Sequence, residues 1–306
     1  MAAVPSILAM TLRPVPNPPA LATDAALSDD EILRWALAYL RHAPLSLSLR
    51  EINRLVAFQA FQARSPKQGP VLDVGCGDGF WWTVRQDDRE IYGIDISASE
   101  IAQARERIHA ELTDVSQETP FRGTKFEEII GNCSLEHVPD IDAALSNLRR
   151  AASPNARLLM FVPTPRWAYQ GHTQKLLLKY APRIAMSVSG ALNGFFQHWH
   201  LYDAKVWQRL LEQNGWRVET TVGLGSARSE FLFRAFMPPA FVEFVVKKVT
   251  GFYPSRLARL LPDAALAPFA KLVRWAVSDP IVAADSPHAY EYLIVAHAAP
   301  QVAPKV

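Results

Sequence analysis

A short apolar segment that leads into three alternating glycines constrains the fold of this chain most strongly. Residues 71–79 are Val-Leu-Asp-Val-Gly-Cys-Gly-Asp-Gly. The apolar residues at 71, 72 and 74 form a run typical of a buried parallel strand. Glycine adopts backbone angles that other residues avoid, and its missing side chain lets a ligand approach the main chain. The segment therefore predicts a strand, a sharp turn and a helix start whose free N–H groups face a ligand.

Nucleotide-binding proteins use two kinds of turn that resemble this one in glycine content. A dinucleotide-binding turn follows Gly-x-Gly-x-x-Gly and seats a pyrophosphate at the helix N-terminus. In this chain Gly79 comes one position early, and Phe80 stands where that pattern needs glycine. The spacing therefore disfavours a nicotinamide-dependent oxidoreductase. A tight turn that binds no ligand stays open as an alternative at this point.

The pattern Asp-x-Gly-x-Gly-x-Gly, from Asp73 to Gly79, resembles the first motif of class I S-adenosylmethionine (SAM)-dependent methyltransferases. Later segments agree with this family in the right order. A second short strand ends at Asp95, and residues 126–140 closely resemble the fourth-strand region, with a Leu-Glu-His typical of the bacterial small-molecule branch. The resemblance implies an α/β fold, a doubly wound, seven-stranded and mostly parallel Rossmann-like sheet with a helical cap and a C-terminal insertion.

The resemblance also implies which residues contact SAM. Asp73 and the glycines should frame the methionine part, and Asp95 should accept hydrogen bonds from the ribose hydroxyls, as such an acid does in dinucleotide-binding folds. The next strand ends should meet the adenine and line the site near the sulfonium. The expected cofactor-binding residues are Asp73, Gly75, Gly77, Gly79, Asp95, Asp114, Val115 and Asn132.

Two histidines are candidate catalytic residues. Methyl transfer depends mainly on aligning the acceptor with the methyl group, and an oxygen acceptor also needs a base. His137 follows the fourth strand, and His200 precedes the helix that starts near Asp203. For each histidine, the alternative interpretation is a structural role. His198 and His200 share one face if their segment is extended, but no third metal ligand is evident, so no metal is expected.

Composition narrows the class of protein and its location. The 306 residues, with 49% hydrophobic residues and a net charge of +2, suit one sizeable core and give no general case for nucleic acid binding. Cys76 and Cys133 are the two cysteines, which indicates no disulfide framework and favours a reducing cytosol. No stretch reaches the ~18 uninterrupted apolar residues that a membrane span needs.

Three regions are predicted along the chain. Residues 1–23 are rich in proline and alanine and indicate a flexible tail. Residues 24–66 should form an N-terminal helical cap, which either covers the cofactor and helps form the acceptor site or packs on the sheet edge. Residues 67–306 should form the SAM-binding domain, with insertions at 164–201 and 226–289.

The second insertion is apolar and basic. Between Arg228 and Arg274 it carries eight basic residues and three acidic ones. Basic amphipathic helices can lie on an anionic membrane surface, or they can fold back as a lid with a solvated basic face. Apolar walls near the acceptor predict a partly apolar small molecule, with a lipid or lipid-linked compound included, and leave peripheral membrane contact open.

The sequence therefore predicts a SAM-dependent methyltransferase that methylates a small molecule on oxygen, in preference to nitrogen or carbon. One alternative is a peripheral membrane methyltransferase for a lipid or lipid-linked glycan. Another is a SAM-binding protein that has lost turnover, which would bind the cofactor without chemistry.

Overall fold

The computed structural model describes residues 27–169, 172–278 and 280–300. The tail predicted at 1–23 lies outside the described residues. The chain first forms two helices, α1 (Asp29–Leu40) and α2 (Leu45–Arg64). The Ser28 hydroxyl accepts a hydrogen bond from the Glu31 N–H and caps α1, as its position before an acidic first turn predicts.

Strands and helices then alternate. The first half of the α/β region contains β1 (Val71–Val74), α3 (Phe80–Arg85), β2 (Ile91–Asp95), α4 (Ala98–Ala104), β3 (His109–Leu112), β4 (Phe126–Asn132), α5 (Ile141–Ala151) and β5 (Ala152–Pro163). The second half contains α6 (His172–Tyr180), α7 (Pro182–Phe195), α8 (Ala204–Gln213), β6 (Trp216–Leu224), α9 (Ala227–Ala235), α10 (Met237–Thr250), α11 (Asp263–Ala276), β7 (Ile281–Val282) and β8 (Glu291–Ala298). Short 3-10 turns cover Leu135–His137 and Pro254–Leu260.

The strands form one sheet in the order β3-β2-β1-β4-β5-β8-β6-β7. Strands β1 to β5 are parallel, and β8 runs antiparallel to both β5 and β6. The chain order reverses between β1 and β4, and ligands of open α/β sheets bind at such a switch point, outside the carboxyl ends of the strands. The predicted doubly wound α/β fold is confirmed.

The structure corrects two details of the predicted sheet. Among the described residues the sheet has eight strands and not seven. The extra strand forms because the end of the second insertion returns along β6, where Ile281 and Val282 pair with the outer edge of β6. In addition, Pro154-Asn155-Ala156, whose proline and asparagine are typical of a turn, lies inside β5, whose register with β4 shifts between Phe126 and Glu128. The shift lets Pro154 and Asn155 stay exposed while the strand continues.

Helices cover both faces of the sheet. On one face α5 and α8 bury Leu148 and Trp207 against the strands. On the other face α1, α2, α9 and α11 share one core with the sheet, which contains Trp35, Phe58 and Val273. The N-terminal cap and part of the second insertion therefore belong to the body of the domain.

None of the helices in the described ranges is both long enough and apolar enough to cross a membrane.

Candidate cofactor and acceptor sites

The glycine turn has the backbone that its sequence predicts. Gly75, Gly77 and Gly79 have φ angles of +75°, +54° and +74°, in the left-handed region that favours glycine. A Cβ on Gly75 would lie 2.5 Å from the Ser134 Cβ, so packing against the end of β4 requires glycine there. A Cβ on Gly77 would meet nothing within 4 Å. The turn is thus fixed at its start and open at its centre, where a ligand can approach the backbone.

Asp95 links the glycine turn to the end of β2. Its Oδ2 accepts a hydrogen bond from the Gly77 N–H at 3.0 Å, and its Oδ1 accepts one from the Ser97 N–H at 2.8 Å. A carboxylate oxygen has more than one acceptor site, so both oxygens can still accept from ligand hydroxyls. The next residue, Ile96, exposes 78% of its surface at this edge. Sequence reasoning missed Ile96. The signal was an apolar residue directly after Asp95, because such a residue offers a surface that a flat ring can cover.

Asp73 is buried at the end of β1 with half of its carboxylate unpaired. Its Oδ2 accepts a hydrogen bond from the Trp82 Nε1 at 2.7 Å, whereas its Oδ1 is buried without a partner among the described residues. Burial raises the pKa of this carboxyl group to about 7. An unpaired buried oxygen costs free energy, which a donor or cation from a ligand would recover.

Asn132 lies at the end of β4 inside a polar network with α2. Its Oδ1 accepts from Arg54 Nη1 at 3.1 Å, and its Nδ2 donates to Glu51 Oε2 at 3.0 Å. Behind it, the buried Glu291 accepts hydrogen bonds from Arg50 Nε at 2.5 Å and from Arg54 Nη2 at 2.6 Å. Burial opposes ionisation of Glu291, but the two guanidinium groups lower its pKa to about 2. Sequence reasoning missed this network. A signal for it was the pair of arginines four residues apart in α2, because residues at this spacing lie on one face of a helix.

The predicted adenine residues lie beyond β3 at the same edge. Leu112, the last residue of β3, pairs with Asp95, so Asp114 and Val115 follow close to the ribose acid. Asp114 is exposed, and its Oδ1 accepts from the N–H and the hydroxyl of Ser116 at 2.9 and 2.7 Å. Val115 is buried in the core. The structure therefore brings all eight predicted cofactor residues to one edge of the sheet, while their contacts with SAM stay predictions.

The two candidate histidines have different surroundings. His137 Nδ1 lies 3.1 Å from the Gln197 carbonyl oxygen and can only donate to it, so Nε2 carries the lone pair. His200 is buried, with Nε2 2.8 Å from the Val138 carbonyl and Nδ1 3.0 Å from the Tyr202 hydroxyl. Its Nε2–H therefore donates and its Nδ1 accepts, which leaves no lone pair for an acceptor molecule. His137 keeps the geometry of a base, and the contacts of His200 favour a structural role.

The segment around His198 is a turn and not an extended strand. The N–H groups of Trp199 and His200 both donate to the Glu136 carbonyl, at 3.0 and 3.2 Å. This arrangement brings Glu136, His137 and His198 together, with one ligating atom from each within 4.8 Å of the others. Of the predicted His-x-His pair, His198 belongs to this cluster and His200 does not, and the other two members of the cluster are Glu136 and His137.

A large cavity lies between the two insertions. It has a volume of about 790 Å³, and its walls come from α7, α9, α10 and the segment after β5. Its lining is mainly apolar, with Trp167, Phe196 and Phe241 among its rings and Glu230 and Arg234 among its charged groups. The Trp167 ring contacts the His198 ring edge to face at 4.9 Å, so the cavity adjoins the histidine cluster.

The cap and the second insertion meet over the glycine turn. His42, between α1 and α2, lies 3.2 Å from the Asp78 carboxylate and stacks on Phe80 at 3.7 Å between ring centroids. Arg256 of the insertion lies 3.6 Å from the same carboxylate. Burial opposes the charge on Asp78, but the hydrogen bond from His42 and its charge lower the pKa of Asp78 to about 2. Arg256 therefore brings this part of the second insertion against the glycine turn.

Comparisons with known proteins agree with this geometry. The profile of a methyltransferase domain family matches residues 39–221. The methyltransferase GfsG of Streptomyces halstedii is 30% identical over 99 residues, which are 29% of this chain and 35% of that protein. The alignment therefore spans about a third of the relative's length.

Two solved structures are similar in shape. Geranyl diphosphate C-methyltransferase from Streptomyces coelicolor A3(2), in complex with Mg²⁺, geranyl-S-thiolodiphosphate and S-adenosyl-L-homocysteine, is 16% identical, with 80% of this chain and 77% of that chain covered and a TM-score of 0.48. Haemonchus contortus phosphoethanolamine N-methyltransferase 2, in complex with SAM, is 16% identical, with 90% and 58% covered and a TM-score of 0.47.

Because the family profile covers more than half of the sequence, this chain belongs to that family of class I SAM-dependent methyltransferases. The predicted family and its cofactor, SAM, are confirmed.

Proposed function

We propose that this protein transfers a methyl group from SAM to an oxygen of a partly apolar small molecule in the cytosol. The observation that carries the proposal is that two sites border the segment after β4, where Ser134 lies against Gly75 and Glu136 and His137 follow. The glycine-turn edge holds an unpaired buried oxygen on Asp73, and the histidine cluster beyond β4 adjoins an apolar cavity of about 790 Å³. A cavity of this volume is in the range of small-molecule sites.

The residues at the sheet edge fit the cofactor. Asp95 would hold the ribose hydroxyls, the exposed Ile96 would be covered by the adenine, and the unpaired Asp73 Oδ1 would accept from the amino group. When bound, SAM supplies a methyl group on a sulfonium that is already a good leaving group. The remaining work is alignment and removal of the acceptor proton.

His137 is the candidate group for activating the acceptor. Its tautomer is set by the Gln197 carbonyl, and its side chain is 35% exposed. Its Nε2 would accept the proton of the acceptor hydroxyl, and the deprotonated oxygen could then receive the methyl group that SAM supplies when bound. His200 would support this site indirectly by fixing Val138 behind the turn.

Calorimetric titration with S-adenosylhomocysteine, with NADH as the control ligand, tests the proposal. We expect binding of S-adenosylhomocysteine alone. Asp95→Ala should weaken it at least ~10-fold, because charge-assisted hydrogen bonds to the ribose are lost. Asp88→Ala, at an exposed acid in the loop before β2, is the matched control and should leave the affinity unchanged. Normal affinity in Asp95→Ala, or binding of NADH, would contradict the assignment of the site.

An exposed apolar surface favours a second candidate function. On α6, α7 and α10 six large apolar side chains are more than half exposed: Leu176, Tyr180, Ile184, Met186, Val242 and Val249. Helices α7 and α10 meet where Phe195 contacts Phe241 at 4.8 Å, and both helices also line the cavity. Lys179 and Lys248 lie over aromatic rings of this surface. Apolar side chains with lysines beside them suit an anionic membrane, so the acceptor in this alternative is a lipid or a lipid-linked glycan.

Co-sedimentation with vesicles separates the two candidates. In the membrane alternative the protein binds vesicles that contain phosphatidylglycerol, binds neutral phosphatidylcholine vesicles less, and loses binding in Val249→Glu. Val206→Glu, at an exposed valine of α8, is the matched control. Absence of vesicle binding by the unaltered protein would exclude this alternative and leave a dissolved small molecule as the acceptor.

A further inference from the structure

We propose that Glu136, His137 and His198 bind a divalent transition-metal ion beside the acceptor cavity, with Zn²⁺ as the best match. The ion would orient and activate the acceptor, a role that rests on the proposed function. The binding of the ion itself depends only on these three side chains.

The distances between the three groups suit a site that closes on an ion. One ligating atom of each lies within 4.8 Å of the other two, and His137 Nε2 lies 3.6 Å from Glu136 Oε1. Ligands of tetrahedral Zn²⁺ lie about 2.0–2.2 Å from the metal, and hence roughly 3.4 Å from one another. Side-chain movements of about an ångström would therefore bring the three ligating atoms to the distances of a tetrahedral Zn²⁺ site.

Two buried atoms of the cluster have no hydrogen-bond partner among the described residues. Glu136 is 1% exposed, and its Oε2 makes no hydrogen bond within the described part of the chain. The Nδ1 of His198 is also buried and without a hydrogen bond there. A buried carboxylate oxygen and a buried imidazole nitrogen each cost free energy when unpaired. A cation bound by the cluster would recover this free energy.

The surrounding backbone holds the ligands as a metal site requires. The Gln197 carbonyl accepts from His137 Nδ1–H and so directs the Nε2 lone pair away from itself. Such a bond to the second nitrogen fixes the tautomer and the orientation of most ligating histidines. Gln197 has a left-handed φ of +55°, which is costly for a residue with a side chain. The Glu136 carbonyl in turn binds the N–H groups of Trp199 and His200, which ties the two ligand-bearing segments together.

The ligand set selects the metal. Two imidazoles and one carboxylate are the ligands of catalytic Zn²⁺ sites that keep a fourth position open, whereas Mg²⁺ prefers oxygen ligands. The His198 ring contacts Trp167 at 4.9 Å and Phe196 at 5.8 Å, and both of these side chains line the cavity. With the ion bound, the His137 Nε2 lone pair would be a ligand, so the metal would replace the base role proposed for His137 above. An acceptor hydroxyl in the open position would lose its proton to solvent at a lowered pKa.

The test uses the full-length protein after dialysis against a chelator. Calorimetry with Zn²⁺ and visible absorption with Co²⁺ should show one equivalent bound, with the bands of a tetrahedral Co²⁺ site. His198→Ala and Glu136→Gln should each weaken binding at least ~10-fold, the lower end of what even indirect ligand partners contribute. His109→Ala, at an exposed histidine of β3 outside the cluster, should bind as the unaltered protein does.

Binding of S-adenosylhomocysteine by each variant shows that it is folded and tests the cofactor site separately. Weak metal binding by the unaltered protein would overturn the metal site, and so would unchanged metal binding by folded His198→Ala. Either result would leave the methyltransferase function in place. Metal binding without S-adenosylhomocysteine binding would keep the site and remove the proposed function.

Discussion

Two buried carboxylates hold α2 at opposite ends of the sheet, and they differ in what else they contact. At the amino ends of the strands, Glu128 accepts hydrogen bonds from Gln62 of α2, from Arg89 at 3.0 Å and from Arg157 Nε at 2.8 Å. At the carboxyl ends, Glu291 accepts from Arg50 and Arg54 of the same helix. One helix of 20 residues is therefore fixed at both ends by the same kind of interaction.

The difference lies in how far each cluster extends. The Glu128 cluster extends through Arg89 to Asp87 and Arg85, but these residues lie in and before the loop that leads into β2, so the cluster is closed toward the cofactor edge. Arg157 also donates to the Ser65 carbonyl at 2.6 Å. The Glu291 cluster continues through Arg54 to Asn132 and Glu51 at the cofactor edge. Buried ion pairs are weak evidence for stability alone, since burial costs nearly what the pairing returns. The comparison teaches that the closed cluster fixes the fold, while the open one also positions polar groups at the site.

Glu128→Gln should give the largest effect. Arg157 would stay buried without its charge partner, so the free energy of unfolding should fall by about 3–5 kcal/mol. Urea unfolding measures this loss. The affinity of the folded protein for S-adenosylhomocysteine should not change, and a weaker affinity would mean that the closed cluster also acts on the site.

Glu291→Gln should destabilise the protein less and affect the site more. Arg54 keeps Glu51 as a charge partner at 2.8 Å, and Arg50, which loses its charge partner, has a side chain that is 15% exposed to solvent. We therefore expect a loss of about 1–3 kcal/mol. Affinity for S-adenosylhomocysteine should also fall about tenfold, because Arg54, without Glu291 to fix it, would no longer hold Asn132 in place. A tenfold loss corresponds to about one good hydrogen bond. Glu118→Gln removes an exposed ion pair with Arg122 and should change stability by at most about 1 kcal/mol. Equal affinity in Glu291→Gln and Glu128→Gln would remove the distinction between the clusters.

The same two variants should respond differently to acid. The pKa of Glu291 is about 2 in the folded protein against 4.5 for a free glutamate side chain. A lowered pKa contributes stability that is present above pH 4.5 and is lost as the pH falls toward 2. Urea unfolding at decreasing pH should show this loss in Glu128→Gln and lack it in Glu291→Gln.

Asp73 should give a pH dependence of cofactor binding. Its pKa is raised from 3.8 to about 7. The contribution of Asp73 to the free energy of unfolding therefore decreases as the pH rises from 3.8 toward 7. A cationic amino group beside Asp73 favours the carboxylate. Affinity for S-adenosylhomocysteine should therefore rise about tenfold per pH unit below pH 7 and level off above it. Asp73→Asn should abolish this dependence, and an unchanged pH profile in that variant would place the titrating group elsewhere.

Residues close in sequence account for what could be predicted. The apolar run, the left-handed glycines and the acid after β2 act within one strand–turn–helix unit, so pattern alone located Asp73, Gly75, Gly77 and Asp95. The partners that complete the site are far apart in the chain. Arg50 and Glu291 are separated by 241 positions, and His137 and Gln197 by 60. No local periodicity reports such a contact, because it exists only once the insertions have packed.

The sequence by itself determined the glycine turn, the short buried strands beside it and the acids at their carboxyl ends, because each follows from backbone conformation and burial over a few residues. Only the tertiary structure decided that His200 has both nitrogens engaged, that Glu136 joins His137 and His198, and that a cavity opens between the insertions. These features depend on which side chains distant segments place against each other, and that is set by packing of the whole core.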